Sequence, residues 1–329
     1  MKILDCTLRD GANIAGLGFD RIYTKMMIEG LQNAGVDIIE YGNAHGMGMN
    51  EPGSPLTDEE YLELMQPYRD KTQFGMFLQS KVASREVIKL AGEKGLSFLR
   101  VGNNAGDGET SIRAIQLVKE SGLICRYSVM KAYLLTPEEL AKEAALLERA
   151  GLDEVTVMDS AGTMLPEEVA AYIKALKETV SIPIGFHGHN NMGLAVINSC
   201  TALEYGAEVL DTGLMGMARS AGNCPTEVLA AVLQRRGITC DIDLYKLLEW
   251  IEKALIPAME KYKYYNPIPP VDLIYGLTGC HSNFGKMFEE AAEEKQVSVY
   301  RLITNVCKID RKAPSKELIN EEADKLLRQ

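Results

Sequence analysis

Several features that mark other protein classes are absent from this sequence of 329 residues. No apolar run reaches the roughly 18 residues that a membrane-spanning helix requires, and no charged-then-apolar leader opens the chain. The seven cysteines are scattered and form no Cys-x-x-Cys pair, which favours reduced thiols over a disulfide framework or a structural zinc site. Excess positive charge is also absent. The net charge of −11 argues against nucleic acid or an anionic membrane as a partner, and these absences together predict a soluble cytoplasmic protein.

A recurring sequence pattern indicates the fold. A helical pattern ends in a glycine and an apolar residue, and a short apolar run follows, as at Gly35 before Ile38 and at Gly95 before Phe98. Glycine suits the left-handed residue that ends a helix, and the next apolar residue packs the entering strand. The predicted strands cover 2–7, 38–41, 73–78, 98–101, 124–129, 155–158, 183–187 and 209–210. Eight strands alternating with helices favour a (β/α)8 TIM barrel over an open doubly wound sheet.

The sequence changes character after the predicted barrel, which we place at residues 1–238. An apolar helical stripe runs from Leu244 to Leu255, and Pro257 should kink or end that helix. A proline-rich connector at 266–270 precedes helical patterns at 284–295, 299–306 and 315–327. We therefore expect residues 239–329 to form a small helical C-terminal appendage.

The most informative stretch pairs two of the four histidines of the chain. His187 and His189 end a predicted strand with Gly188 between them. Residues i and i+2 of a strand point to one face, so both imidazoles converge there. Two converging imidazoles are half of a divalent-metal site, although a pair of ordinary hydrogen-bonded histidines would show the same pattern.

Further polar side chains follow other predicted strands, at the barrel end where functional residues gather. Together, Asp10, His187, His189 and Asn223 offer a carboxylate, two imidazoles and an amide oxygen, a ligand set that suits Mn2+ or Mg2+. Arg9, beside the carboxylate, could pair with a substrate carboxylate or stabilise enolate charge.

Four segments carry a family resemblance. Asp5–Gly11 (DCTLRDG), Asp159–Gly162, Phe186–Ala195 (FHGHNNMGLA) and Gly222–Glu227 (GNCPTE) occur in order, at predicted strand ends or in the loops after them. The chain resembles the DRE-TIM metallolyases, also called the HMGL-like or pyruvate-carboxylase-like family. Within that family it is most similar to the 4-hydroxy-2-oxovalerate aldolases.

The resemblance implies a metal held by Asp10, His187 and His189, with Asn223 as a further ligand. It also implies a 2-oxo acid bound through its carboxylate and keto oxygens, and Arg9 stabilising a pyruvate-type enolate. In these aldolases the C-terminal part docks an acylating aldehyde dehydrogenase. Whether this chain does so stays open, because its appendage is the least similar region; we expect a homo-oligomer.

The chain departs from the family where protons are handled. Family aldolases carry a histidine shortly after the Arg-Asp-Gly run, where this sequence has Asn13, and neutral asparagine cannot act as a base. His281 aligns with a substrate-facing tyrosine of the aldolases and is the candidate for proton transfer. Asn104 stands where the aldolases have a further histidine. These departures predict a changed substrate.

Other residues at the predicted strand ends have two interpretations each. His45 is a substrate contact or a loop histidine, and Arg219 meets an anionic substrate tail or is an ordinary surface arginine. Asp159 is a candidate substrate contact. Lys131 could form a Schiff base, but beside a metal set we favour a solvated or phosphate-binding lysine.

The leading hypothesis is a divalent-metal-dependent aldol-type carbon–carbon lyase acting on a 4-hydroxy-2-oxo acid. One alternative is a Claisen-type synthase or lyase of the same superfamily that uses an acyl-CoA. Another is a non-catalytic binding protein that keeps the fold, for which Asn13 is the main argument.

Overall fold

Eight parallel strands close into a barrel in chain order, β1 to β8, with β8 paired to β1. The computed structural model describes residues 1–49, 51–265, 268, 270–280, 282–310 and 312–328. The strands are β1 (Lys2–Asp5), β2 (Ile38–Glu40), β3 (Gln73–Gln79), β4 (Phe98–Asn104), β5 (Ile124–Met130), β6 (Glu154–Asp159), β7 (Ile184–Gly188) and β8 (Val209–Thr212). The predicted (β/α)8 barrel is confirmed.

Each strand is followed by a helix that returns the chain to the start of the next strand. The helices are α1 (Arg21–Asn33), α2 (Asp58–Leu64), α3 (Arg85–Glu93), α4 (Ile112–Glu120), α5 (Pro137–Arg149), α6 (Pro166–Thr179), α7 (Ala195–Glu204) and α8 (Thr226–Arg235). Thr57 and Thr136 cap α2 and α5 through capping boxes, which satisfy backbone N–H groups of the first turn. The glycines that end a helix before a strand in this recurring pattern all have positive φ, from 74° at Gly95 to 108° at Gly206. Local sequence signals therefore predict where these helices begin and end, and the structure agrees with them.

The interior of the barrel contains both apolar and charged side chains. Leu4, Ile38, Phe98 and Val209 form a buried cluster with Cys6. Three fully buried charged side chains, Glu40, Arg100 and Asp211, come from β2, β4 and β8. Side chains from alternate strands share a layer in such barrels, so these three charges can meet inside it.

The chain divides into two compact units, Met1–Leu229 and Ala230–Gln329. The second unit contains α9 (Leu244–Trp250), a π-helical turn (Ile251–Leu255), α10 (Ile256–Met259), α11 (Pro270–Thr278), α12 (Gly285–Lys295), α13 (Val299–Ile309) and α14 (Lys316–Leu327). Its core includes Leu248, Ile274, Phe288, Ile303 and Ile319. None of the helices in the described part of the chain is long and apolar enough to span a membrane.

The C-terminal helices predicted at 284–295, 299–306 and 315–327 are present, with small shifts at their ends. The helix that begins at Pro270 was not predicted, because the prolines before it indicated only a connector. Pro257 lies in the first turn of α10, directly after the π-helical turn, where its missing N–H is tolerated. The predicted boundary at 238/239 follows α8, whereas the division between the units falls inside that helix.

A buried carboxyl group lies under the loop after β8. Glu227 is fully buried at the start of α8, and its Oε2 accepts a hydrogen bond from Met215 N at 3.0 Å. Burial raises the pKa of Glu227 from 4.5 to about 7, and the bond from Met215 lowers it only in part. Between these two pH values the unfolded chain releases a proton that the folded chain retains. The free energy of unfolding therefore falls as pH rises through this window and levels off above it.

We expect E227Q to remove this part of the pH dependence, because glutamine does not ionise. At 1.36 kcal/mol per pKa unit, the part removed amounts to about 3 kcal/mol between the two pH values. Urea unfolding followed by far-UV circular dichroism from pH 4.5 to 8 measures it. The exposed residue Glu178 in α6 supplies the control E178Q, which should follow the wild-type curve. An E227Q curve parallel to wild type would contradict the assignment.

Candidate metal centre

Three metal-ligating side chains meet at the C-terminal end of the barrel. Asp10 follows β1, His187 lies in β7, and His189 comes directly after β7. Asp10 Oδ2 lies 3.7 Å from Nε2 of each imidazole, and one ligand atom of each residue lies within 4.8 Å of the others. These spacings are near those that the ligands of one divalent cation would have, so the three residues could hold such a cation together with further ligands. The structure brings together the three side chains that the sequence analysis assigned to one cation.

The protonation states at this cluster suit a cation. Burial acts to raise the pKa of Asp10, but Arg9 and the two imidazoles hold it well below its ordinary value. Burial, together with the neighbouring His187, lowers the pKa of His189 to about 4. Near neutral pH the cluster therefore presents a carboxylate and a neutral imidazole at His189, the forms that bind metals.

Backbone pairing carries Asn223 to the same place. His189 and Asn223 form an antiparallel bridge, because Asn190 N donates to Gly222 O at 2.8 Å and Cys224 N to Gly188 O at 3.1 Å. Asn223 Nδ2 donates to Asp10 Oδ2 at 2.9 Å. Its Oδ1 is buried and has no hydrogen-bond partner among the described residues. An unpartnered buried acceptor beside this cluster fits a divalent cation.

A buried carboxylate holds the His187 ring through Nδ1, the nitrogen that does not face Asp10. Its Nδ1 donates to Asp211 Oδ2 at 3.0 Å, which leaves Nε2 directed to Asp10. Asp211 in turn accepts two bonds from Arg100, at 2.5 and 3.1 Å. Burial acts to raise the pKa of Asp211, but Arg100 and His187 keep it well below its ordinary value. A carboxylate on the second nitrogen fixes the tautomer and orientation of a metal-binding imidazole.

The same series of buried ion pairs continues from Arg100 through Glu40 to Arg9. Arg100 Nε lies 3.1 Å from Glu40 Oε2, and Arg9 Nε donates to Glu40 Oε1 at 2.6 Å. Arg9 Nη1 then donates to Asp10 Oδ1 at 3.0 Å. The Arg9 guanidinium also lies over the ring of Phe77, 5.0 Å from its centroid. One continuous buried network thus orients both a candidate ligand and the adjacent guanidinium.

A cavity of about 380 Å³ opens beside the cluster. Its lining includes eight residues singled out in the sequence: Arg9, Asp10, His45, Asn104, Lys131, His187, His189 and Arg219. Gln79 and Ser160 add further polar groups. The three metal-ligating groups and the candidate substrate contacts Arg9, His45 and Arg219 therefore face one space, whereas Asp159 is not among the residues that line it.

Comparison with known proteins agrees with this geometry. A family model described as HMGL-like matches residues 108–253. A 4-hydroxy-2-oxovalerate aldolase from Geobacillus genomosp. 3 is 34% identical over 297 residues, 89% of this chain and 87% of that protein. The aldolase of that name from Carboxydothermus hydrogenoformans is 30% identical over 329 residues, 99% of this chain and 97% of that protein. The chain belongs to the HMGL-like family.

The solved structures of this family share the fold at lower sequence identity. An HMG-CoA lyase from Brucella melitensis superposes with a TM-score of 0.64 at 21% identity, over 77% of this chain and 98% of that one. Both the predicted family and the assignment to the carbon–carbon lyases are confirmed.

Other residues singled out in the sequence differ in where this HMGL-like chain places them. Arg219 is 57% exposed, with Nε 4.0 Å from Asp10 Oδ1, and His45 is half-buried. Asn13 Nδ2 donates to the backbone oxygen of Asp10 at 2.8 Å. The carboxylate of Asp159 accepts bonds from the backbone N–H groups of residues 163 and 164, so it caps its own turn. His281 lies outside the described residues, and its catalytic role stays a prediction.

The sequence analysis missed three residues of this site: Glu40, Arg100 and Asp211. A signal was present, because each is a charged residue within or beside an apolar strand run. Lys, Glu, Arg and Asp are almost never fully buried without a partner, so charges in predicted core strands indicate an interior ion-pair network.

We expect D211N to weaken Mn2+ binding 10- to 100-fold, which is about the usual effect of removing a carboxylate behind a metal-binding histidine. Isothermal titration with Mn2+ measures the affinity. Because D211N also breaks the buried pair with Arg100, folding is checked by circular dichroism before titration. The control D70N replaces an exposed aspartate and should bind Mn2+ like wild type. Unchanged affinity in folded D211N would contradict this role.

Proposed function

We propose that this chain is a divalent-metal-dependent aldolase that cleaves a 4-hydroxy-2-oxo acid. The products are an aldehyde and pyruvate or a homologue of pyruvate, and the enzyme can also catalyse the reverse condensation. The observation that carries the proposal is the buried cluster of Asp10, His187 and His189 beside the cavity. The names of the aldolase relatives support the substrate class.

Asp10, His187 and His189 would hold the cation, with Asn223 Oδ1 as a further ligand. One carboxylate, two imidazoles and an amide oxygen favour Mn2+ or Mg2+. When bound, such a cation supplies Lewis-acid polarisation of a substrate carbonyl.

Arg9 is placed to stabilise negative charge that develops on the substrate. Glu40 and Asp10 hold its Nε and Nη1, whereas Nη2 is buried with no partner among the described residues. A fixed donor in a buried site costs no reorganisation when charge appears on an oxygen, as it does when an enolate forms. Arg9 therefore stabilises the enolate oxygen rather than transferring protons.

Proton transfer falls to His45 in this proposal. Its Nδ1 lies 3.0 Å from Glu51 Oε1, so the carboxylate orients the ring and leaves Nε2 for the substrate. The backbone of His45 is anchored too, because its N–H donates to Asn43 Oδ1 and its carbonyl accepts from Gln79 Nε2. Outside the metal cluster, His45 is the one histidine among the described residues that line the cavity.

We also infer a cytoplasmic location, since scattered cysteines without paired spacing suit a reducing compartment. A partner dehydrogenase and a homo-oligomer stay predictions.

We expect the protein to exchange the methyl protons of pyruvate for deuterium in D2O, because enolate formation labilises them. Proton NMR follows the loss of the methyl signal with added Mn2+, with added Mg2+ and after chelation by EDTA. Exchange should require the metal and should fall at least 100-fold in H187A and in R9M.

The outcomes separate the alternatives. Exchange that persists in EDTA and is lost in K131M would identify a Schiff-base lysine instead. No exchange with pyruvate or its homologues would contradict the aldolase proposal and favour an acyl-CoA enzyme or a binding protein.

We expect H45Q to lower kcat for aldol cleavage about 100- to 10,000-fold, the usual range for losing a general acid–base group. Glutamine keeps the hydrogen-bonding capacity of the side chain but cannot transfer a proton. E51Q should retain more activity than H45Q, because it alters only the partner that orients the ring. Full activity in H45Q would show that another residue transfers the proton, and His281 would be tested next.

A further inference from the structure

One wall of the cavity carries three polar side chains beside the apolar Met130 and Met158. Asn104, Lys131 and Ser160 come from the ends of β4, β5 and β6, three consecutive strands, and all three line the cavity. In a closed barrel of eight strands, β5 lies four strands away from β1, which precedes Asp10, and two strands away from β7, which carries His187. Lys131 therefore lies across the cavity from Asp10 and is separated from the two imidazoles by β6.

No acid on this wall neutralises Lys131. Asp10 is the one carboxylate among the described residues that line the cavity, and it belongs to the opposite side. Asp159 adjoins Ser160, but its two oxygens accept bonds from the backbone of its own turn. No ion pair joins Lys131 to a carboxylate in the described part of the chain.

The charges on the metal side need no contribution from Lys131. Asp10, Glu40 and Asp211 carry three negative charges, and Arg9, Arg100 and Arg219 carry three positive ones. A divalent cation and the carboxylate of a 2-oxo acid add one net positive charge. No carboxylate of this side is therefore left for Lys131, whose ammonium is available to the other half of the substrate.

The backbone at Lys131 is held in an uncommon conformation. Its φ of 57° and ψ of 44° are left-handed, and its N–H donates to Ser160 Oγ at 2.9 Å. Non-glycine residues seldom adopt this conformation, and those that do cluster at functional sites. Here the turn places the lysine at the cavity wall, where the next residues begin a short 3-10 helix.

We propose that Lys131, with Asn104 and Ser160, forms an anion subsite, so that the aldehyde half of the substrate ends in a carboxylate or a phosphate. This inference rests on the proposed function and names its substrate class. A substrate anionic at both ends would span from the metal cluster to Lys131 and gain a charge-assisted hydrogen bond there. An aldehyde with a plain alkyl tail would gain nothing from this ammonium, which is exposed to solvent.

The test compares condensation of pyruvate with matched aldehydes in the presence of Mn2+. Succinic semialdehyde is set against butanal, and glyceraldehyde 3-phosphate against glyceraldehyde. We expect kcat/KM to favour the charged member of one pair by about 10- to 100-fold, the range for a hydrogen bond to a charged group. The favoured pair identifies the anion as carboxylate or phosphate.

Variants at position 131 assign the preference to the ammonium. K131M should remove most of the charged-to-uncharged ratio, and K131R should retain it, because arginine restores the charge. The control K142M replaces an exposed lysine of α5 and should keep the wild-type ratio. A wild-type preference for the uncharged aldehydes, or a ratio unchanged in K131M, would overturn the subsite.

A binding measurement separates failure of the subsite from failure of the aldolase proposal. 2-Oxoheptanedioate and 2-oxoheptanoate differ only in the distal carboxylate, and neither can undergo aldol cleavage. Isothermal titration with Mn2+ present should show at least tenfold tighter binding of the dicarboxylate to wild type, and no such difference in K131M. If pyruvate exchange fails but this difference holds, the reaction is wrong and the subsite stands. Equal binding of the two acids, with no preference for glyceraldehyde 3-phosphate over glyceraldehyde, would overturn the subsite.

Discussion

The site depends on one chain of buried charges that runs from His187 through Asp211, Arg100 and Glu40 to Arg9. Arg100 is fully buried and spans the barrel interior, pairing with two carboxylates from different strands. Removing such a group from water is expensive, and only close pairing offsets the loss of hydration. The network can therefore exist only in the closed barrel, where β2, β4 and β8 deliver its members to one layer.

This constraint links the fold to the chemistry. Because the network ends at His187 on one side and at Arg9 on the other, it sets the orientation of an imidazole and of a guanidinium together. A disturbance at Arg100 would thus reach both His187, a candidate cation ligand, and Arg9, the group proposed to stabilise the enolate. Removing one partner of a buried pair costs about 3–5 kcal/mol, because it leaves the other charge buried and unpaired.

The sequence predicts those parts of this site that depend on local patterns, and not those that depend on contacts between distant strands. The convergence of His187 and His189 follows from strand alternation, and the place of Asp10 follows from the rule for strand ends, so both were accessible locally. The ion pairs of Glu40, Arg100 and Asp211 depend on the register of eight strands around the barrel. That register is set by packing, and no local pattern reports it. The helix from Pro270 escaped prediction because prolines before a helix can read as a connector or as an N-terminus.

The two halves of the cavity follow different structural rules. The metal side consists of residues in or next to strands, held by the interior network. His45 and Lys131 instead lie in the segments that follow β2 and β5, where substitution disturbs no core packing. In (β/α)8 enzymes chemistry changes by variation of these loops on a constant barrel.

The position after the Arg-Asp-Gly run illustrates this division. Asn13 donates its amide to the backbone of Asp10, so it braces the segment that carries a cation ligand instead of exchanging protons. The proton-transfer function can then move to a loop histidine oriented by Glu51 without disturbing the ligands, because the two groups are held by separate contacts. Moving the base changes the direction from which a substrate must present its hydroxyl. Under the proposed function, a base at His45 and an ammonium at Lys131 lead to one expectation: the enolate-forming half of the reaction is that of the family, and the aldehyde half is different.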